Sequence, residues 1–290
     1  MQATPEPFRL LLSLPRPASA EHVRVVFSRS FDRKEHANDE ANIGAAWAAA
    51  KAKNPGIFDG SKFRLHRAAE AGTDGSVLLE LGLTGYREYL GTNRLPAAER
   101  GQLEADGRAA HGDAAAHMSN ALGCETMLLT ADGQVVLLRR STSVATHNGL
   151  YNGPSGHPEP SRAAGVDDAA DAAADANEVD AARSAATLAE LFDSVLQETH
   201  EETAVPRDKL GAPALLGVML DAAGKPDLLF LTRTPLDAAG VRECYSTGPE
   251  EGWESDRLAF WPVATLSECT LGLTAVTRAA HECFLRLQPG

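Results

Sequence analysis

Apolar residues recur along this chain in short runs, and the polar residues between them set where each run stops. Residues 8–14 and 23–27 are apolar runs of strand length. Residues 62–66 and 77–83 are two more, with Thr73-Asp74-Gly75 as the turn between them. A helix is predicted over 39–53, ended by Asn54-Pro55-Gly56. A polar-aromatic segment, Tyr86 to Asn93, comes next. Then Met127-Leu128-Leu129-Thr130, Ala131-Asp132-Gly133-Gln134 and Val135-Val136-Leu137-Leu138 spell two strands around an Asp-Gly hairpin turn. Later strands are predicted over 215–220, 228–232 and 258–263, with Gly224-Lys225-Pro226 separating the first two, and a last helix over 274–287.

The firmest helical period lies at 188–203. Leu188, Leu191, Phe192, Val195, Leu196 and Thr199 fall on one face, and Pro206 stops the helix from continuing. Thr187 and Glu190 have the spacing of a capping box at its start. Just before it, residues 163–186 are almost all Ala and Asp, with no aromatic residue. Such a stretch cannot bury a core of its own, so a solvated insertion is expected, disordered or loosely helical. The pattern divides the chain into a first region, 1–123, and a second, 124–290, with the Ala/Asp segment inserted in the second.

Composition narrows what these regions do. The 290 residues are 43% hydrophobic, enough for a sizeable core. The formal net charge of -13 argues against a nucleic-acid coat, which needs clustered Lys and Arg. It leaves room for a small phosphate ligand, where a bound cation and a few local Arg residues dominate. Cys124, Cys244, Cys269 and Cys283 show no CxxC spacing, so neither a zinc site nor a redox motif is expected, and a reducing compartment is. The N-terminal residues lack the shape of a signal peptide and no run is long enough to span a membrane, so an intracellular protein, cytoplasmic or nuclear, is expected.

The candidate chemistry sits at the end of the firm helix, Gln197-Glu198-Thr199-His200-Glu201-Glu202. Three carboxylates in so short a stretch are commonly a solvated face. At about 100° per residue, however, Glu202 projects between Leu191 and Val195, within the apolar stripe, and Glu198 lies at its edge. An unpaired carboxylate there would carry a large desolvation penalty, which a bound hard cation removes. Mg²⁺ favours oxygen ligands and takes substrate phosphates into its shell. Glu198 and Glu202 would approach one ion from the same side, while Glu201, rotated away, is placed to ligate or to hold or deprotonate a water.

These residues resemble the box of the Nudix hydrolase family, G-x5-E-x7-R-E-U-x-E-E-x-G-U, with U aliphatic. Gln197 to Val205 lies over R-E-U-x-E-E-x-G-U and keeps all three acidic positions. Gln197 stands for the Arg, Thr199 for the first aliphatic residue and Ala204 for the Gly. Gly153-Pro154-Ser155-Gly156-His157 resembles the opening of the box, and the strand ending in Arg139-Arg140 resembles the family's run into a basic pair. The stretch from Gly156 to Glu198 is longer than the pattern, and the Ala/Asp segment accounts for the excess. That opened loop, with the blocks Phe58-Asp59, Lys62 to His66, Gly82 to Asn93 and Gly156 to Pro160, resembles the branch that hydrolyses UDP-glucose and UDP-galactose.

The resemblance implies an α/β fold, a Nudix α/β/α sandwich with an additional N-terminal α+β domain. It implies hydrolysis of a UDP-hexose to UMP and hexose 1-phosphate with Mg²⁺, for which Mn²⁺ is a possible substitute. Glu198, Glu202 and the backbone carbonyl of Ser155 are the implied metal ligands, with Glu201 as ligand or base. Glu254 is a further ligand or base, or a bland loop carboxylate beside Glu250 and Glu251. Tyr86 and Arg87 are candidates for substrate contact, with Asn93 and Arg64 drawn from the same resemblance and His157 placed against phosphate or sugar. Of Arg139 and Arg140, alternation along the strand allows one to grip phosphate and leaves the other for a surface salt bridge. Trp47, Trp253 and Trp261 are read as core or junction residues, and His200 is unassigned. The partner is thus a small nucleotide sugar, with no nucleic acid and no membrane, and the oligomeric state is open. Two alternatives stand beside this reading: a Nudix pyrophosphatase for ADP-ribose, NADH or coenzyme A, and an inactive Nudix fold that binds nucleotide or protein.

Overall fold

Two sheets meet on one helix. In the computed structural model, which describes residues 6–36, 39–72, 75–141, 148–166 and 179–288, the larger sheet is built from β1 (Arg9–Ala18), β5 (Gly123–Leu129), β6 (Gln134–Arg140), β7 (Tyr151–Asn152), β8 (Ser155–Gly156), β9 (Ala214–Leu220), β10 (Pro226–Arg233) and β11 (Ser255–Pro262). Its order is β1-β9-β10-β5-β6-β11, with β7 on β6 and β8 on β5. β10 and β5 run parallel and the other pairs antiparallel. The smaller sheet has the order β2-β4-β3, from β2 (Val23–Phe27), β3 (Ser61–Ala71) and β4 (Ser76–Gly85).

The helix between them is α4 (Ala181–Thr203). Leu191, Phe192 and Val195 of α4 pack with Val23, Val25 and Phe27 of β2, with Phe63 and Leu65 of β3, and with Cys124 and Phe230 of the large sheet. A helix buried from two sides explains why its apolar stripe is wide. The opposite face of the large sheet is covered by α6 (Ala275–Leu285), whose Ala279, Ala280 and Cys283 pack on Met127, Leu216 and Leu229. Helix, sheet and helix thus make the expected α/β/α layers. Around them lie α1 (Asp39–Lys53), α2 (Tyr86–Gly91), α3 (Ala97–His111) and α5 (Ala238–Ser246). Among the described residues, no helix is long and apolar enough to cross a membrane.

Several expectations are corrected. α4 starts at Ala181 rather than 188, because the Asp180 side chain accepts from Ala182 N and Arg183 N and caps it. Thr187 is buried inside the helix, and Glu190 accepts from Glu159 N at 2.9 Å, so these two form no capping box. The Ala/Asp segment is not solvated throughout. Ala163 and Val166 join the core, and Ser184 accepts from Phe27 N at 3.0 Å, while 167–178 lie outside the described residues. Thr73 and Asp74, two of the three residues of the expected turn, lie outside them as well. The helices α3 and α5 were not expected: each buries very little, Leu103 and Gly107 in α3 and Val241 in α5, so neither writes an apolar period into the sequence. β1 also departs from its neighbours in the chain by joining the large sheet beside β9.

Candidate active site

The acidic end of α4 lies against β8, and one close approach fixes how. A Cβ on Gly156 would overlap the Glu198 carboxylate, so only glycine lets that side chain lie across the strand. His157 N donates to Glu198 Oε1 at 3.3 Å, and Ser155 N donates to Glu202 Oε2 at 3.1 Å. β8 is itself held by β5, with Ser155 opposite Glu125 and Gly156 opposite Cys124.

Two more carboxylates come from the loop before β11. Glu251 N donates to Glu201 O at 3.1 Å, Ser141 N donates to Glu254 O at 2.8 Å, and Ser141 Oγ donates to Trp253 O at 2.7 Å. These bonds pin the loop between α4 and the end of β6. The result is two overlapping groups, Glu198 with Glu201 and Glu251, and Glu202 with Glu251 and Glu254. Within each, the carboxylate oxygens lie within 4.8 Å of one another.

Without a cation this arrangement is electrostatically unfavourable. Burial, then Glu251 and Glu201, push the Glu198 carboxyl up to about 8. Burial and the charges of Glu198 and Glu254 hold Glu202 well above the usual carboxylate range. Glu251 and Glu254 are raised by their own burial, with Arg140 opposing the shift at Glu254. An all-oxygen donor set, part-buried and crowded with like charge, fits a hard divalent cation.

The Gln197 amide supports this cluster from outside. It donates to Glu201 Oε1 and accepts from Arg207 at 2.8 Å. Helix α4 then ends on Ala204 at φ 58, the left-handed conformation that glycine adopts more easily.

Comparisons with known proteins decide the family. No family model matches the chain. It is 36% identical over 262 residues to the uridine diphosphate glucose pyrophosphatase NUDT22 of Mus musculus, covering 88% of this chain and 81% of that protein. It is 36% identical to the protein of the same name from Homo sapiens, covering 83% and 78%, and 31% identical to Nudix hydrolase 9 of Arabidopsis thaliana, covering 87% and 81%. The chain belongs to the Nudix hydrolase family. Among solved structures, the MutT protein of Methanosarcina mazei Go1 overlays at a TM-score of 0.35 and 17% identity, covering 57% of this chain and 92% of that one. Nudix hydrolases in general need a divalent metal.

In this Nudix chain, the residues expected to contact substrate divide into two sets. Arg139 is turned outward into a bidentate pair with Asp256, at 2.6 and 2.8 Å, and is not in the site. Arg140, on the other face of β6, acts on Glu254 and Glu125. Arg64 is 1% exposed and donates to the carbonyls of Met118, Phe31 and Ala115, so it is structural and does not reach substrate. Asn93 is buried too. It exchanges hydrogen bonds with Asn120 and donates to Ala223 O at 3.1 Å, which ties the first region to the β9–β10 turn.

Tyr86 and Arg87 open α2. Tyr86 stacks on Tyr89, ring centroids 6.1 Å apart, and Arg87 is exposed, its N–H donating to Asp59 Oδ1 at 2.9 Å. Lys225 raises no expectation from sequence beyond its turn. It pairs with Asp227 at 2.6 Å and acts electrostatically on both Tyr89 and His157. Burial, with Lys225 and Lys62 nearby, holds the His157 imidazole well below its usual range, so it is neutral at pH 7. His200 is tied to the backbone: its Nδ1 donates to Val205 O at 2.9 Å, at the helix end. Trp253 is not a core residue; it is 58% exposed on the loop that carries Glu251 and Glu254.

Glu251 and Glu125 were missed as well. Glu251 sits in an acidic loop whose pattern alone does not separate a ligand from a solvated carboxylate. Glu125, on an otherwise apolar strand, is fully buried, with Oε2 accepting from Thr277 Oγ1 at 3.0 Å and burial raising its carboxyl well above the usual range. A charged residue type inside an apolar run was the signal available for it.

Proposed function

We propose that the chain hydrolyses the diphosphate of UDP-glucose or UDP-galactose with Mg²⁺, giving UMP and hexose 1-phosphate. The observation that carries this reading is the pair of carboxylate groups sharing Glu251, in a chain about a third identical over most of its length to proteins named for UDP-glucose pyrophosphatase activity. Glu198, Glu201, Glu202, Glu251 and Glu254 are the proposed cation ligands, with the Ser155 carbonyl beside them. A cation bound there neutralises the diphosphate and makes a water more acidic.

The protein's own groups do the rest. The Glu201 carboxylate, oriented by Gln197, holds the attacking water and accepts its proton. Arg140 faces the acidic loop from β6 and offers a cation to the diphosphate. The neutral His157 ring contacts phosphate or sugar. On the first-region side, the Tyr86–Tyr89 stack is an aromatic face suited to uracil, and Lys225, which acts electrostatically on both Tyr89 and His157, and the neighbouring Arg87 offer cations to the substrate. Residues 1–123 thus serve substrate recognition, and 124–290 the chemistry. The acidic surface leaves nucleic acid outside the proposed partners.

The test is hydrolysis of UDP-glucose with and without Mg²⁺, on the wild type and Glu202→Gln. Metal-dependent release of UMP and glucose 1-phosphate, lost in the variant, is the expected result. Wild-type protein that is folded yet faster on ADP-ribose than on UDP-glucose would overturn the choice of substrate.

A further inference from the structure

The turn after α4 brings a guanidinium back to the acidic cluster. Ala204 ends the helix in the left-handed conformation, Val205 is buried, and Pro206 leads into a short 3-10 turn, Arg207–Lys209. The chain therefore doubles back along α4. Arg207 reaches two side chains of the helix: it donates to Gln197 Oε1 at 2.8 Å, and its other prong pairs with Asp193.

The Gln197 amide is the pivot. An amide has one acceptor end and one donor end. Its carbonyl faces the Arg207 guanidinium, and its NH₂ donates to Glu201 Oε1. Both neighbours demand the same orientation, so the amide cannot turn over without placing its NH₂ against a cation and its oxygen against a carboxylate. Glu201 in turn belongs to the carboxylate group with Glu198 and Glu251. A partly exposed Arg–Asp pair alone contributes little, but this one is the outer end of a hydrogen-bonded line that finishes in the site.

We propose that Arg207 is a positioning residue, which acts through Gln197 to hold the Glu201 carboxylate in place and so restores from outside the box the cation that Gln197 lacks. This rests on the reading of the carboxylates as a cation site.

The test follows Mn²⁺ binding to the substrate-free protein by electron paramagnetic resonance, alongside kcat and KM for UDP-glucose and the thermal unfolding midpoint. Arg207→Met is expected to weaken Mn²⁺ binding about 10-fold, the usual consequence of losing a partner that orients a ligand. It should also lower kcat with KM and the unfolding midpoint unchanged. Adding Gln197→Arg to Arg207→Met should restore both, because a guanidinium at 197 can reach Glu201 directly. Asp193→Asn, which leaves the Arg207–Gln197 bond in place, should keep wild-type Mn²⁺ affinity. Wild-type affinity in Arg207→Met, no recovery in the double variant, or an Asp193→Asn loss equal to that of Arg207→Met would each overturn the proposal. The Mn²⁺ readings do not depend on the substrate. A wild type that binds Mn²⁺ without hydrolysing UDP-glucose therefore sinks the substrate reading and leaves Arg207 decided separately.

Discussion

Glu198 lies across the bare backbone of Gly156, in space that any side chain at 156 would take. The carboxylate is the flexible end of its side chain, so it can move aside at small cost to stability. Its place beside Glu201 and Glu251 cannot survive that move. Gly156→Ala should lower kcat by about 100-fold, as small displacements of catalytic groups do, while thermal unfolding stays close to wild type. Steady-state kinetics with a melting curve checks both halves, and full activity in the variant would refute the placement of Glu198.

The two arginines that end β6 should behave differently. Arg139 is spent on a surface pair with Asp256, and Arg139→Ala should change KM and kcat for UDP-glucose very little. Arg140 faces Glu254 and the site. Arg140→Ala should raise KM by about 10-fold, the scale of one charge-assisted hydrogen bond. Equal effects from the two substitutions would contradict the alternation along the strand.

Ala204 sits at φ 58 where the family pattern has glycine. A left-handed alanine costs about 1 kcal/mol, so Ala204→Gly should stabilise the protein by a similar amount, less the small entropic penalty of glycine in the unfolded chain. Urea denaturation measures it, and a loss of stability would contradict the left-handed turn. The same turn aims Arg207 at Gln197, so a glycine that keeps the turn should also keep the Mn²⁺ affinity.

Acid should destabilise the fold partly through His281. This residue is on the buried face of α6, its Nε2 has no hydrogen-bond partner among the described residues, and burial pushes the imidazole down to about 4. The unfolded chain titrates near the usual 6.5, so between these values the unfolded state binds the proton and the folded state does not. Stability from this group is present above pH 6.5 and is lost as pH falls toward 4. In His281→Leu the difference in unfolding free energy between about pH 7 and pH 5 should shrink; an unchanged difference would place the acid sensitivity elsewhere.

How much of the fold is legible in the sequence follows from what each element buries. Helix α4 was legible because its buried stripe, Leu191 to Thr199, is long and periodic, and Glu202 within that stripe stands out as a carboxylate among apolar residues. The start of α4 was not, because an Ala-rich first turn carries no period and its cap, Asp180, lies in a run of similar residues. The half-buried Tyr86, the exposed Arg87 and the buried Asn93 share one recognisable block, and only the packing separates its accessible residues from those that hold the block together. Arg64 bonds three backbone carbonyls distant in the chain, which no local pattern encodes. Glu251 belongs to the site because its backbone is tied to Glu201, another contact between residues far apart in sequence.

The pairing of β1 with β9 has a consequence for how the protein is made. Arg9 opposes Leu220, so during synthesis this strand waits for a partner made long after it. Until then β1, with its Leu10, Leu11, Leu12 and Leu14, has no native strand to pair with, and closing so long a loop is a slow, late event. The N-terminal edge of the large sheet is therefore paired late in synthesis. A nascent chain arrested before β9 would present an unpaired apolar strand, the kind of segment that chaperones shield and that aggregates when they do not.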